Sequence, residues 1–228
     1  MKISCFFKSS LSLLMIILFA SITTAHTTQQ LHDFQSGDII LLPVDCKSCT
    51  MIEEETGTIY SHSGIVLKNP SGELFVAESS THVSTIPLST FLSFAEKGQK
   101  ARLMRPKELA HLGATAPELF AQFEKNIWQA FVSQFKGLPF DEEYIWGNVN
   151  EELVEKLYCS EFITKLLNIF LRDKINPKPM SFSKHYSYWY QYFHGRIPEG
   201  ELGNAPADFF RSPLLIDFGD IDTQYIAY

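Results

Sequence analysis

Tyr60-Ser61-His62-Ser63-Gly64-Ile65-Val66-Leu67 and Glu73-Leu74-Phe75-Val76-Ala77-Glu78-Ser79 flank the turn-forming run Asn69-Pro70-Ser71-Gly72. Two short apolar arms bounded by Asn, Pro and Gly predict a β-hairpin. With the turn centred on Pro70, partners have residue numbers summing to 140, so Val66 faces Leu74, Gly64 faces Val76 and His62 faces Glu78. Side chains in a strand alternate with period two, which sets all six on one face with the imidazole opposite a carboxylate. A slip of one residue would bring Ala77 or Ser79 opposite His62 and turn Glu78 away. In the expected register, a histidine stands beside an acid able to orient it.

Outward from this hairpin, Asp38-Ile39-Ile40-Leu41-Leu42 is an apolar run between Ser36-Gly37 and Pro43, the pattern of a buried strand, and residues 101–105 are a further strand candidate. Pro87 to Ala95 reads as a short helix. A longer helix is expected from Thr115-Ala116-Pro117-Glu118, a capping box with proline near the first turn. Phe120, Phe123, Ile127, Ala130 and Phe131 follow as a core-facing stripe, and Gly137 ends it. From Ser160 to Arg172, Phe162, Ile163, Leu166, Leu167 and Phe170 make a broad apolar face, with Tyr158-Cys159 at the first turn. Glu161 sits in that turn, where a carboxylate suits the helix dipole. The segment from Lys184 on is rich in aromatics and carries scattered glycines and prolines, and its pattern assigns no element.

A cysteine at a helix N-terminus meets unpaired N–H groups and the positive end of the dipole, which favour thiolate and supply donors for an oxyanion. A buried cysteine at the start of a core helix is the plainer reading of Cys159 alone. Combined with His62 and Glu78, it completes the nucleophile, base and orienter that thiol hydrolysis requires. His82 and His111 have no such setting, and His185 and His194, in the aromatic tail, either line a pocket or, as the plainer reading, only pack.

Residues 1–25 read as a secretory signal peptide. Lys2 and Lys8 precede a ten-residue apolar run, Leu11 to Ala20, and Thr23-Thr24-Ala25 offers the small residues of a cleavage site. That run is short of the roughly twenty residues a membrane-spanning helix needs, so no stable span is expected after cleavage, and the product is expected to be periplasmic or secreted. Residues 26–228 suit one domain. The formal charge of −7 becomes −9 when the two lysines leave with the signal, which disfavours nucleic acid as a partner. Of the three remaining cysteines, Cys46 and Cys49 either form a disulfide or are two small reduced core residues; zinc would need two more ligands at a spacing the sequence lacks. Cys159 is then the thiol left over.

Gly37-Asp38-Ile39-Ile40, Tyr60-Ser61-His62-Ser63-Gly64-Ile65-Val66 and Leu157-Tyr158-Cys159-Ser160-Glu161-Phe162 together resemble the YiiX-like group of permuted papain-fold cysteine hydrolases in the NlpC superfamily. The resemblance runs from about residue 36 to 170. It implies an α+β, circularly permuted papain-like (NlpC-type) fold: a small curved antiparallel sheet or half-barrel packed on helices, with histidine on a strand, a polar residue on the next strand and cysteine on a later helix. It also implies Cys159 as nucleophile, His62 as general base and Glu78 as orienting residue, with Tyr158 either shaping the oxyanion site or packing, and Asp38 structural. The expected activity is cleavage of an amide or ester acyl bond through a thioester, without a cofactor, on a peptide, amide or lipid acyl substrate of the cell envelope. Acyl transfer and a non-catalytic binding module with the same pocket are the alternatives. The Cys46–Cys49 pair and the aromatic tail lie outside the family pattern. Tyr186, Tyr188, Trp189, Tyr190, Tyr192 and Phe193 suit either a core or the wall of an acyl pocket.

Overall fold

The structure, a computed structural model, describes residues 33–221; the signal read at residues 1–25 lies outside them. In chain order the elements are β1 (Ile39–Leu42), α1 (Lys47–Thr56), β2 (His62–Lys68), β3 (Leu74–Ser79), β4 (Val83–Pro87), α2 (Leu88–Leu92), β5 (Ala101–Pro106), α3 (Lys107–Thr115) and α4 (Pro117–Ala130), which runs into a wider π turn at Phe131–Phe135. Then follow α5 (Cys159–Phe170), the short pair β6 (Lys178–Pro179) and β7 (Leu202–Gly203) flanking α6 (Tyr186–Tyr192), α7 (Pro206–Phe210) and β8 (Leu215–Ile221).

Six strands form one antiparallel sheet in the order β4-β3-β2-β1-β5-β8. β1 is interior and all four of its residues are fully buried, because both faces of the sheet are covered. Its alternation divides the core in two. Ile39 and Leu41 join Ile65, Leu67 and Ala77 against Phe123, Ile127, Phe131, Phe162 and Ile163 of the helical layer. Ile40 and Leu42 join Val66, Val76, Leu103, Phe91 and Leu92 on the other face. Burial of these side chains contributes on the order of 1.5–3 kcal/mol each by transfer from water. Asp38, fully buried ahead of β1, is held by Arg105 of β5 through Oδ1 at 2.6 Å and Oδ2 at 2.8 Å.

Two local expectations differ from the structure. The capping box does not form. Leu109 is buried in the core and α3 runs on to Thr115, whose hydroxyl turns back to donate to the His111 carbonyl (2.8 Å). α4 therefore starts after Ala116 with no side-chain cap, though Pro117 and Glu118 still occupy its first turn. The hairpin register is displaced by two residues: Val66 pairs with Val76, Leu67 with Phe75 and Lys68 with Leu74, so partner numbers sum to 142. Asn69 causes the shift. Its Oδ1 accepts from the N–H groups of Ser71 and Glu73, both at 2.9 Å, its backbone N–H donates to Glu73, and Gly72 takes a positive φ of 87°. The turn is centred on Ser71 instead of Pro70. A two-residue shift keeps every side chain on its face, so Glu78 stays on the His62 side while Ser80 becomes the residue numerically opposite His62. Gly64 is required by the close packing there, since a Cβ would lie 2.4 Å from Val76 Cγ1 and 2.7 Å from Phe91 Cζ.

Candidate active site

The β2–β3 ladder ends at Ile65 with Ala77, although β2 starts at His62 and β3 continues to Ser79. The start of α5 is carried to this open end of the hairpin by Leu157 and Tyr158: Ser79 donates its hydroxyl to the Leu157 carbonyl (2.7 Å). Phe162, Ile163, Leu166 and Leu167 are fully buried and clamp α5 on the sheet. Cys159 is the first residue of that helix, with Tyr158 as its N-cap residue, and it is the free cysteine among the described residues.

His62 Nε2 lies 3.1 Å from Glu78 Oε2. This contact commits Nε2–H to the carboxylate and leaves Nδ1 for the sulfur, whose interaction with the ring favours the protonated imidazole. The Phe91 ring lies 5.6 Å from the imidazole, centroid to centroid, and the second oxygen of Glu78 accepts from Ser80 Oγ at 3.1 Å. Burial acting alone would raise the Cys159 thiol pKa. The charge of His62, its hydrogen bond, and the hydroxyl and N–H of Ser63 outweigh that and hold the thiol below its usual range. For His62, burial works to lower the pKa, but the Cys159 sulfur and then the Glu78 carboxylate raise it above the usual imidazole range. Both directions favour a thiolate–imidazolium pair.

Tyr158 accepts the Asn204 N–H through its hydroxyl oxygen (3.1 Å), so its own O–H proton remains to donate. Asn204 is pinned to α5 through Nδ2, which donates to the Ser160 carbonyl (3.2 Å) and Thr164 Oγ1 (2.7 Å), and Ser160 Oγ returns a bond to the Asn204 carbonyl (3.0 Å). The α5 N-terminus adds N–H groups that the helix does not itself pair. Glu161, fully buried in the first turn of α5, accepts from Gly147 N–H (2.7 Å) and pairs with Lys165 (2.6 Å). Burial lifts its carboxyl to about 7 against the opposing pull of Lys165 and Gly147. It anchors the 141–157 loop, from which Tyr144 packs edge-on against Tyr158 at 5.7 Å.

One cleft of about 590 Å³ contains Cys159, His62, Glu78 and Tyr158. Cys46 and Cys49 line it too, joined as a disulfide at the start of α1. The aromatic tail divides its roles. Trp189, Phe182 and Phe193 form a small core with Met51 and Ile52 of α1, Tyr192 and Trp189 also face the cleft, and Tyr186 and Tyr190 are exposed. His185 pairs with Glu54 and His82 with Thr81, both away from the sulfur. Sequence reasoning missed Ser63 and Asn204. Ser63 was visible as a neighbour of His62, whereas nothing local marks Asn204, which reaches α5 from 40 residues beyond Thr164.

A family model described as a permuted papain-like amidase enzyme, YaeF/YiiX, C92 family, matches residues 33–216. The chain belongs to this family. It is therefore a papain-like cysteine hydrolase of the amidase class, with a permuted fold. Among solved structures, the metalloprotein yiiX from Escherichia coli O157:H7 is similar with a TM-score of 0.67 at 22% identity, covering 82% of this chain and 97% of that one. That likeness shows the shared fold. No curated protein sequence matches the chain. No cluster of three or more His, Cys, Asp or Glu residues suited to a metal occurs among the described residues, and no helix among them is long and apolar enough to cross a membrane.

Proposed function

We propose that the protein is an exported cysteine hydrolase that cleaves an amide or ester acyl bond of a cell-envelope peptide or lipid through Cys159, His62 and Glu78. The observation that carries this reading is His62, bonded to Glu78 at 3.1 Å and sharing one largely apolar cleft with a cysteine at a helix N-terminus. Cys159 thiolate attacks the acyl carbonyl, forming a C–S bond as the carbonyl electron pair moves to oxygen. The Tyr158 hydroxyl and the first N–H groups of α5 receive that oxyanion. Collapse breaks the bond to the leaving amine or alcohol, which takes the proton from His62 Nδ1. Neutral His62 then removes a proton from water, hydroxide attacks the thioester, and the acid departs as Cys159 thiolate and His62 imidazolium are restored. Glu78 keeps Nε2 protonated throughout and stabilises the cation.

The wall of Val44, Ile52, Phe94, Phe140, Tyr144 and Tyr192 suits an apolar acyl portion beside the scissile carbonyl. Incubating the chain lacking residues 1–25, and its Cys159→Ala form, with cell-wall peptides, lipoamides and acyl esters tests the proposal. A product formed only by the Cys159 chain, with hydroxylamine intercepting the acyl group as hydroxamate, is expected. Equal slow alkylation by iodoacetamide of Cys159 and an unfolded-peptide thiol would overturn it.

A further inference from the structure

The two serines flanking His62 are both buried and differ in what they bond. Ser61 Oγ accepts from Val44 N–H (3.1 Å) and donates to Glu53 Oε1 (2.8 Å). Ser63 is fully buried and its Oγ has no nitrogen or oxygen partner, so the Cys159 sulfur is the one group it acts on. A buried hydroxyl without a partner is destabilising, and alanine would remove the loss of hydration with almost no change of shape. Such a group in a well-packed sheet indicates a demand that folding does not explain.

Its place supplies the demand. Ser63 continues the row of Ile65 and Leu67, the face of β2 that α5 covers, and lies opposite Leu41 of β1 on that same face. The first residue of α5 is Cys159. β2 and β3 have stopped pairing at this point, so the open hairpin end admits the sulfur.

We propose that Ser63 is a thiolate-stabilising residue: its buried hydroxyl and its backbone N–H donate to Cys159 Sγ once the sulfur is ionised. The proposal rests on Cys159 being the nucleophile. A thiol is a weak acceptor and leaves the hydroxyl idle, whereas a thiolate makes it a charge-assisted donor. The hydroxyl and N–H of Ser63 both act to lower the Cys159 pKa, alongside His62. As the C–S bond forms, charge passes from sulfur to the carbonyl oxygen and the Ser63 bond weakens. Ser63 therefore governs how much thiolate is present near neutral pH and adds nothing once all of it is ionised.

The test is the rate of Cys159 alkylation by iodoacetamide against pH, assigned by mass spectrometry, in the native chain and in Ser63→Ala, Ser63→Thr and His62→Ala. In Ser63→Ala the midpoint should rise by about one pH unit, the size of one hydrogen bond to a charged group. Its high-pH plateau should be equal or higher, because a less stabilised thiolate is the stronger nucleophile. Thermal stability should be unchanged or increased, and Ser63→Thr should restore the native midpoint. A Ser63→Ala midpoint equal to the native one overturns the role of Ser63 while leaving Cys159 as nucleophile. A native midpoint no lower than that of a free cysteine overturns the nucleophile assignment itself, and with it this proposal.

Discussion

At the turn end of the β2–β3 hairpin, Asn69 takes two backbone N–H groups on Oδ1 and donates to Glu73 Oε2 at 2.7 Å, Lys68 N–H donates to Ser36 Oγ at 3.0 Å, and Lys68 Nζ pairs with Glu124. At the other end the ladder stops at Ile65, leaving the first three residues of β2 unpaired with β3, and the space holds a buried carboxylate, a half-buried imidazole, a sulfur and a hydroxyl without a nitrogen or oxygen partner. The same alternating sequence pattern makes both ends. The turn end uses its polar groups to close the chain on itself, while the open end holds them apart for an outside molecule, as expected where function overrides local consistency.

The contrast breaks most completely if the sulfur is removed. Cys159→Ala should lower turnover by at least about 1,000-fold, as loss of a covalent nucleophile does, with the melting temperature unchanged; retained turnover would take the chemistry away from the hairpin. Next in size is Glu78→Gln, which keeps a hydrogen-bonding side chain and deletes the charge. Loss of roughly 10- to 100-fold in kcat/KM is expected, as for a group that orients a base.

The pH profile sharpens the same end. Activity should rise with pH as Cys159 ionises, below the ordinary thiol range because its pKa is lowered, and fall as His62 loses its proton, above the ordinary imidazole range because its pKa is raised. Glu78→Gln removes one of the influences raising His62, so the alkaline limb should move down, which alkylation and kcat/KM profiles both report.

Two smaller effects separate the middle and the turn from the site. Gly64→Ala forces a Cβ against Val76 and Phe91 and should cost about 1–3 kcal/mol of stability by overpacking, measured by denaturant unfolding, with activity falling in parallel because Phe91 also touches His62. Asn69→Ala should cost about 1 kcal/mol or less through its lost turn bonds and leave kcat/KM unchanged. A catalytic defect in Asn69→Ala would mean that the two ends are coupled.

Legibility followed the range of each signal. Strand alternation placed His62 and Glu78 on one face, and this survived a register displaced by two residues because the period of a strand is itself two. The apolar face of α5 and the position of Cys159 at its start could be read from spacing alone. The cap at Thr115 could not, because whether a threonine begins one helix or ends another depends on how far α3 extends before it. The strands β4 and β8 gave no comparable pattern. β4 is mostly half-buried, and β8 is an edge strand whose register is irregular opposite Leu103 and Met104.

By itself, the sequence determined the paired faces of the hairpin and a thiol at a helix N-terminus, since each follows from periodicity or local backbone chemistry, and the resemblance of its motifs to a known family implied the α+β class. Only the tertiary structure decided that β2 and β3 part beyond Ile65 and Ala77, that Asn204 crosses to Tyr158 and α5, that α1 and the aromatic tail wall one cleft around Cys159, and that Ser63 is left without a nitrogen or oxygen partner. Those are distances between segments far apart in the chain, fixed by how the two cores pack on opposite faces of one sheet, and no local pattern encodes them.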